Sequence, residues 1–317
     1  MSVSPDGQFL ASGASDGYLR LWEVQTGRLL RSWNLSLLIS KYQNENKDEN
    51  DDKVINQKET IKPIVYIQWN PNSSHHCLLA AVGNCAVVVG TGTGGVNDGE
   101  LTDALLSTCA EMKKNQIDQT KAAKAVKWIG MLDSNTQPIS AFGGTYIGPV
   151  CILRTNKEIA NLRWHRKGDY FVTVSPKAGA AAVLIHQLSK TNSQQPFSKN
   201  KGEAQIASFH PNKPFLFVAT TSDVKIYHLV KQTMVKRTCF KWDQFFYPDI
   251  LFFLFIHFFS ILFWSILCIY IGLISGCRWI SSLDVHKTGD HVIIGSLDRR
   301  VVWFDLDLSN TPYKTLK

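Results

Sequence analysis

The sequence predicts an all-β fold, a β-propeller, on three observations. Short alternating apolar runs are bounded by tight-turn residues, an anchor dipeptide between two such runs recurs five times, and the third run of the first unit ends in an aromatic residue. At 317 residues the chain is long enough to bury a large core. Hydrophobic residues at 44% against charged residues at 19% place it among folded chains, although one apolar block and one polar block hide inside those averages.

The first unit sets the pattern. Ser2 to Gly13 contains the turn Pro5-Asp6-Gly7, Ser15-Asp16-Gly17 makes a second turn, and Tyr18 to Trp22 is the third strand. After the turn Gln25-Thr26-Gly27, a fourth strand is expected from Leu29 to Trp33. Four short strands closing in this way form one propeller blade, and the spacing looks like a WD repeat. The anchor dipeptide then reappears as Ser4-Pro5, Asn70-Pro71, His165-Arg166, His210-Pro211 and His286-Lys287. Around the later anchors the expected strands include Ile64 to Trp69, Cys77 to Val82 and Ala86 to Val89, then Ile159 to Trp164, Tyr170 to Val174 and Ala181 to His186. Gln205 to Phe209, Phe215 to Ala219 and Val224 to Tyr227 make the fourth blade, and Ile280 to Val285, His291 to Gly295 and Arg300 to Trp303 the fifth.

Anchor spacings are 66, 95, 45 and 76, whereas a blade of this class occupies about 40 to 45 residues. Only the third interval is normal, so the others must carry insertions. The expected organisation is therefore a blade over 1–40, a polar acidic loop over 41–62, and a blade over 63–90. A long insertion over 91–158 follows, then blades over 159–190 and 203–240, an apolar insertion over 241–276 and a last blade over 277–317. Within 91–158 the pattern suggests a helix near Glu100 to Lys113 and an apolar stretch at Ala125 to Ile129, with room for a further degenerate blade.

The apolar insertion has no formal charge from Ile250 to Ile274, 25 residues, long enough as a helix to cross a hydrocarbon layer of about 30 Å. A single crossing between the fourth and fifth blades would put them on opposite sides of a bilayer, which a closing ring of blades forbids. Phe, Leu, Ile, Ser, Tyr and Cys dominate the block, the residues that pyrimidine-rich codons specify. Excising Lys241 to Gly276 shortens the anchor spacing from 76 to 40. The preferred reading is a retained or mispredicted intron; a genuine insertion and a membrane segment are the alternatives.

No constellation for catalysis emerges, and no catalytic, cofactor-binding or metal-binding residue is assigned. Seven cysteines contain no CxxC pair, which speaks against zinc ribbons and thioredoxin chemistry, and their odd count without a secretory leader suggests a reducing compartment. Gly90 to Gly95 matches GxGxxG after a strand, but Val96-Asn97-Asp98-Gly99 prolongs the turn, so a blade-connecting loop is expected rather than a phosphate cradle. A nucleotide-binding enzyme using that loop stays open as an alternative, as does a membrane-tethered WD-repeat interaction protein. His75-His76 lacks a carboxylate partner at helical spacing. Asp16, Trp22, His165, His210, His286, Asp298 and Trp303 read as the structural blade signature. The net charge of +8 suits an acidic partner. Lys199, Lys201, Lys231, Lys236 and Arg237 are the candidate contacts for RNA or a protein partner, each phosphate contact adding salt-dependent affinity.

Several blocks are more specific than the repeat: Trp164-His165-Arg166-Lys167-Gly168-Asp169-Tyr170, Val183 to Lys190, Phe209-His210-Pro211, and Trp303 to Ser309 followed by Asn310-Thr311-Pro312-Tyr313-Lys314. In this order they resemble the block-of-proliferation family of eukaryotic ribosome biogenesis proteins. The resemblance implies a long amino-terminal region followed by a seven-bladed propeller, and a non-enzymatic scaffold that works with Pescadillo and a second WD-repeat protein in processing large-subunit (60S) pre-ribosomal RNA. It implies a nuclear location, in nucleolus and nucleoplasm, and no cofactor. Met1 falls where a first strand is already under way and five blades of about seven are recognisable, so the chain is expected to be truncated at both ends.

Overall fold

The computed structural model describes residues 1–45, 61–73, 75–93, 126–130, 148–197, 203–221, 223–239, 280–297, 299–306 and 312–316. The expected helix near Glu100, the acidic stretch beyond Glu45, the apolar block, Lys199, Lys201 and Asp298 lie outside these residues.

Five antiparallel sheets account for the described strands, and together they give an all-β, propeller-like fold. Blade one is β1 (Ser2–Val3), β2 (Phe9–Gly13), β3 (Tyr18–Glu23) and β4 (Leu29–Asn34), paired in chain order. Its strands form where apolar and polar residues alternate, and Gly7 and Gly17 supply the positive φ that the two turns require. A helix, α1 (Leu35–Glu45), follows, with the Asn34 side chain accepting the Leu37 N–H at 2.9 Å as its cap. It runs past Lys41, so the end of the first blade region is helical, and its Leu35 and Ile39 pack into the core between blades one and two.

Blade two has five strands in the order β5 (Ile64–Trp69), β6 (Cys77–Val82), β7 (Cys85–Gly90), β9 (Gly148–Thr155), β8 (Val126–Gly130). The apolar stretch inside the long insertion is thus the outermost strand of this sheet. The described strands of the insertion complete blade two rather than build a separate blade. Blade three is β10 (Asn161–Trp164), β11 (Tyr170–Val174), β12 (Val183–Gln187) and β13 (Asn192–Gln194). Blade four is β14 (Ala204–Phe209), β15 (Phe215–Thr220), β16 (Asp223–His228) and β17 (Thr233–Cys239). Blade five is β18 (Ile280–Val285), β19 (His291–Ser296), β20 (Arg300–Asp305) and β21 (Lys314–Leu316).

Blades stack face to face, with one apolar core at each junction. Leu19, Leu21, Trp69 and Val87 fill the first, Leu79, Phe171, Trp164 and Leu184 the second, Val172, Phe209, Leu216 and Tyr227 the third, and Phe217, Ile226, Val292 and Phe304 the fourth. Strands β6 and β7 are buried throughout because blade two is covered on both faces, whereas β3 and β20 alternate between buried and open positions. Ile293, Val301 and Trp303 stand exposed on the open face of blade five.

The first strand of each blade lies innermost and touches the next. The Trp69 N–H donates to Ser2 Oγ at 3.0 Å, the Trp164 N–H to Gln68 Oε1 at 2.8 Å, and the Ala207 N–H to Asn161 Oδ1 at 3.3 Å. Arg163 on β10 reaches past blade four to β18, donating to the Leu283 carbonyl at 3.1 Å and meeting Asp284 at 3.4 Å. Sheets packed in a straight stack stand about 10 Å apart, which would hold blades three and five about 20 Å from each other. A side chain bridging them means that the inner strands curve around a shared axis.

Candidate interaction surfaces

The recurring anchor residue organises one end of the molecule. Ser4, Asn70, His165, His210 and His286 each end the innermost strand, and in each case the anchor N–H donates across the turn to the opening of the second strand, as from His165 to the Tyr170 carbonyl at 2.7 Å. The anchor side chain then holds the turn. Ser4 Oγ accepts the Phe9 N–H at 2.9 Å and donates to Asp6, while Asn70 Oδ1 accepts the Asn72 N–H at 3.0 Å. His210 Nδ1 accepts the N–H groups of Asn212 and Lys213, both at 2.9 Å. His165 and His286 hold the N–H groups of Lys167 and Thr288 more loosely, at 3.3 and 3.4 Å. A ring nitrogen used as an acceptor must be unprotonated. Burial pushes the His165 pKa down, helped by the charges of Arg166 and Lys167. Similarly, the hydrogen bond from Ser4 is the main cause lowering the Asp6 carboxyl.

These turns also lock neighbouring blades. Gly168 and Gly289 have φ of 76° and 88°, and a Cβ on either would collide with the anchor of the preceding blade, Asn70 or His210. Arg166 of blade three donates to Asn212 Oδ1 of blade four at 3.0 Å, and Asn212 Nδ2 donates to the Lys287 and Thr288 carbonyls of blade five at 3.2 and 3.3 Å. Three turns form one stitched belt. The turns between third and fourth strands join the same end, since Leu188 donates to the Asp169 carbonyl, Leu229 to Pro214 and Leu306 to Asp290, each at 2.8 Å.

Asp16 accepts the Tyr18 N–H at 2.9 Å and pairs with Arg20 at 2.6 Å, a hydrogen bond that is the first cause lowering its carboxyl pKa. Trp22 donates from Nε1 to Ser12 Oγ at 2.8 Å on the outer face of blade one. The strand pairings align Glu23 with Phe9, Gln187 with Tyr170, His228 with Phe215 and Asp305 with His291. Residues one earlier, Trp22, His186, Tyr227 and Phe304, therefore share one position. Trp303 sits one residue before that place. It is 36% exposed on the opposite face, while Phe304 is 1% exposed and packs against blade four.

At the shared position in blade three, His186 is fully buried, with Thr173 Oγ1 at 2.8 Å from one ring nitrogen and Ser193 Oγ at 2.8 Å from the other. Ser193 Oγ also accepts Trp128 Nε1–H of β8 at 2.9 Å. Burial depresses the His186 pKa to about 3. In sequence His186 stands out only as part of the specific block Val183 to Lys190; its alignment with Trp22 is the signal that marks its structural place.

Of the basic residues expected at partner contacts, Lys231, Lys236 and Arg237 are among the described residues. Lys231 is exposed on the turn after β16. Lys236 Nζ donates to the Leu306 carbonyl of blade five at 2.6 Å, and Arg237 pairs with Asp223 at 2.6 Å. Both therefore serve blade structure. The glycine-rich loop departs from a dinucleotide motif: β7 pairs antiparallel with β9, every pairing among the described strands is antiparallel, and Thr91 Oγ1 is held by the His76 carbonyl at 2.9 Å and by Thr93. Gly94 and Gly95 lie outside the described residues. Among the described residues no group of three His, Cys, Asp or Glu side chains has metal-binding geometry, and no helix is long and apolar enough to cross a membrane.

Residues 1–23 match the family model described as "WD domain, G-beta repeat". Over its full length the chain is 36% identical to ribosome biogenesis protein erb1 of Schizosaccharomyces pombe, covering 36% of that protein. It is 32% identical to ribosome biogenesis protein ERB1 of Meyerozyma guilliermondii, covering 34%, and 33% identical to the ribosome biogenesis protein BOP1 homolog of Chlamydomonas reinhardtii, covering 30%. The chain thus spans about a third of the length of the curated relatives it matches. Repeated blades, a matched repeat model and alignment of the whole chain with part of each relative make this a chain of WD-repeat, propeller-like fold that is similar to the Erb1/BOP1 ribosome biogenesis proteins.

Proposed function

We propose that the chain acts in ribosome biogenesis as a non-enzymatic scaffold, supporting pre-ribosomal RNA processing and assembly of the large (60S) subunit. The observation that carries this reading is the alignment of the whole chain with proteins named for ribosome biogenesis. The geometry supports the scaffold role: the described turns are occupied by hydrogen bonds that fix blades, and a rigid rim of turns is a surface for holding other molecules. The partners proposed are a Pescadillo-like protein and a second WD-repeat protein, with pre-ribosomal RNA as a further contact, in nucleolus and nucleoplasm. Depleting the gene product should cause precursors of the large-subunit RNA to accumulate, seen by hybridisation, and restoring the chain's expression should clear them. Normal precursor levels after depletion would contradict the proposal.

A further inference from the structure

We propose that the stitched turn belt of blades three to five docks an acidic, amphipathic segment of a partner protein. Arg166, Lys167, Lys190, Lys213, Lys231 and Lys287 stand exposed on the turns at this one end. The carboxylates among them are engaged. Asp169 accepts the Ser189 N–H at 2.9 Å and the Gln187 side chain at 2.9 Å, Asp290 lies 3.8 Å from Lys213, and Asp305 lies 3.7 Å from His291. Among the described residues these six cations outnumber the three carboxylates, which leaves the described part of this end net basic, and the bonds through Asn212 hold its turns in fixed relation before any partner arrives. Preorganised charges bind with less ordering cost than mobile ones.

Carboxylates fit this surface better than stacked bases. Two of the rings beside the cations are already in use: His165 is edge-on to Tyr170 and Phe209, and His210 is buried beneath Gly289. Between the cations of blade four stand Pro214 and Val230, exposed and aliphatic, a contact for a peptide side chain rather than for a base plane. The inference deepens the scaffold reading and rests on it.

The test is fluorescence anisotropy of a labelled peptide alternating Glu and Leu, titrated with the full chain at low and high salt. Binding should weaken with salt, and the Lys167→Glu, Lys190→Glu, Lys287→Glu triple variant should lose about ten-fold in affinity with an unchanged circular dichroism spectrum. Lys177→Glu, in the turn between β11 and β12 at the opposite end, should bind as the parent does. If the triple variant misfolds, Lys190→Gln with Lys231→Gln should still weaken the peptide by about three-fold. Unchanged peptide affinity in the folded variants would overturn the proposal, as would loss confined to a poly-uridylate oligonucleotide. A parent chain that enters pre-ribosomal particles yet does not bind the peptide leaves the scaffold reading standing and sinks only the acidic occupant.

Discussion

At the scale of single residues, the same turn glycine meets three different surroundings. Gly7, Gly168 and Gly289 follow their anchors by three residues and all have positive φ, but Gly7 has open space where a Cβ would stand, while Gly168 and Gly289 lie against Asn70 and His210. Gly7→Ala should therefore cost only the left-handed backbone term, about 1 kcal/mol. Gly289→Ala adds displacement of a buried, hydrogen-bonded ring and should cost about 3 kcal/mol or more. Urea unfolding of the two variants measures the difference, and equal losses would mean that the turn of blade five does not rest on His210. The anchors themselves were legible in sequence as a repeated dipeptide beside a turn. What sequence could not show is that Asn70 and His210 also seat the turn of the following blade, because those contacts join distant residues, 98 positions apart between Asn70 Nδ2 and the Gly168 carbonyl at 2.8 Å.

Elements carry the next lesson. Strands with alternation, such as β3 and β19, or with apolar runs bounded by turn residues, such as β2 and β11, could be read directly from the sequence. Strands β8 and β9 could not, since they return to blade two from a long insertion and their place depends on pairing with β7. The aromatic of β20 was placed one residue early because Trp303 and Phe304 adjoin; only the pairing of Asp305 with His291 fixes which one faces the core. Strand β8 is tied to blade three through the chain Trp128, Ser193, His186, Thr173. His186 stays neutral in the fold to about pH 3, whereas in the unfolded chain it gains a proton below about pH 6.5. The unfolded state then binds more protons, so the contribution of His186 is full above pH 6.5 and is lost as pH falls toward 3. Between pH 7 and pH 4 the gap in urea midpoint between the parent and His186→Phe, which cannot titrate, should narrow. A gap independent of pH would show that His186 titrates alike in the folded and unfolded chain.

For the whole molecule, blades in chain order around a shared axis explain how a single side chain, Arg163, meets both its own sheet and a blade two places on. They also explain why function is to be sought on turns: the strands spend their side chains on the junction cores, and the turns at one end present a continuous face. The five described blades were legible because each carries its own anchor. The composition of the insertions gave no comparable signal, since polar and apolar excess alike lack a repeating partner. The most direct measurement is sucrose-gradient sedimentation of the tagged chain from cells that express it, with blotting for large-subunit precursors. The account predicts that the chain travels with precursor particles and carries their RNA on affinity capture. A chain found entirely among free proteins at the top of the gradient would contradict it.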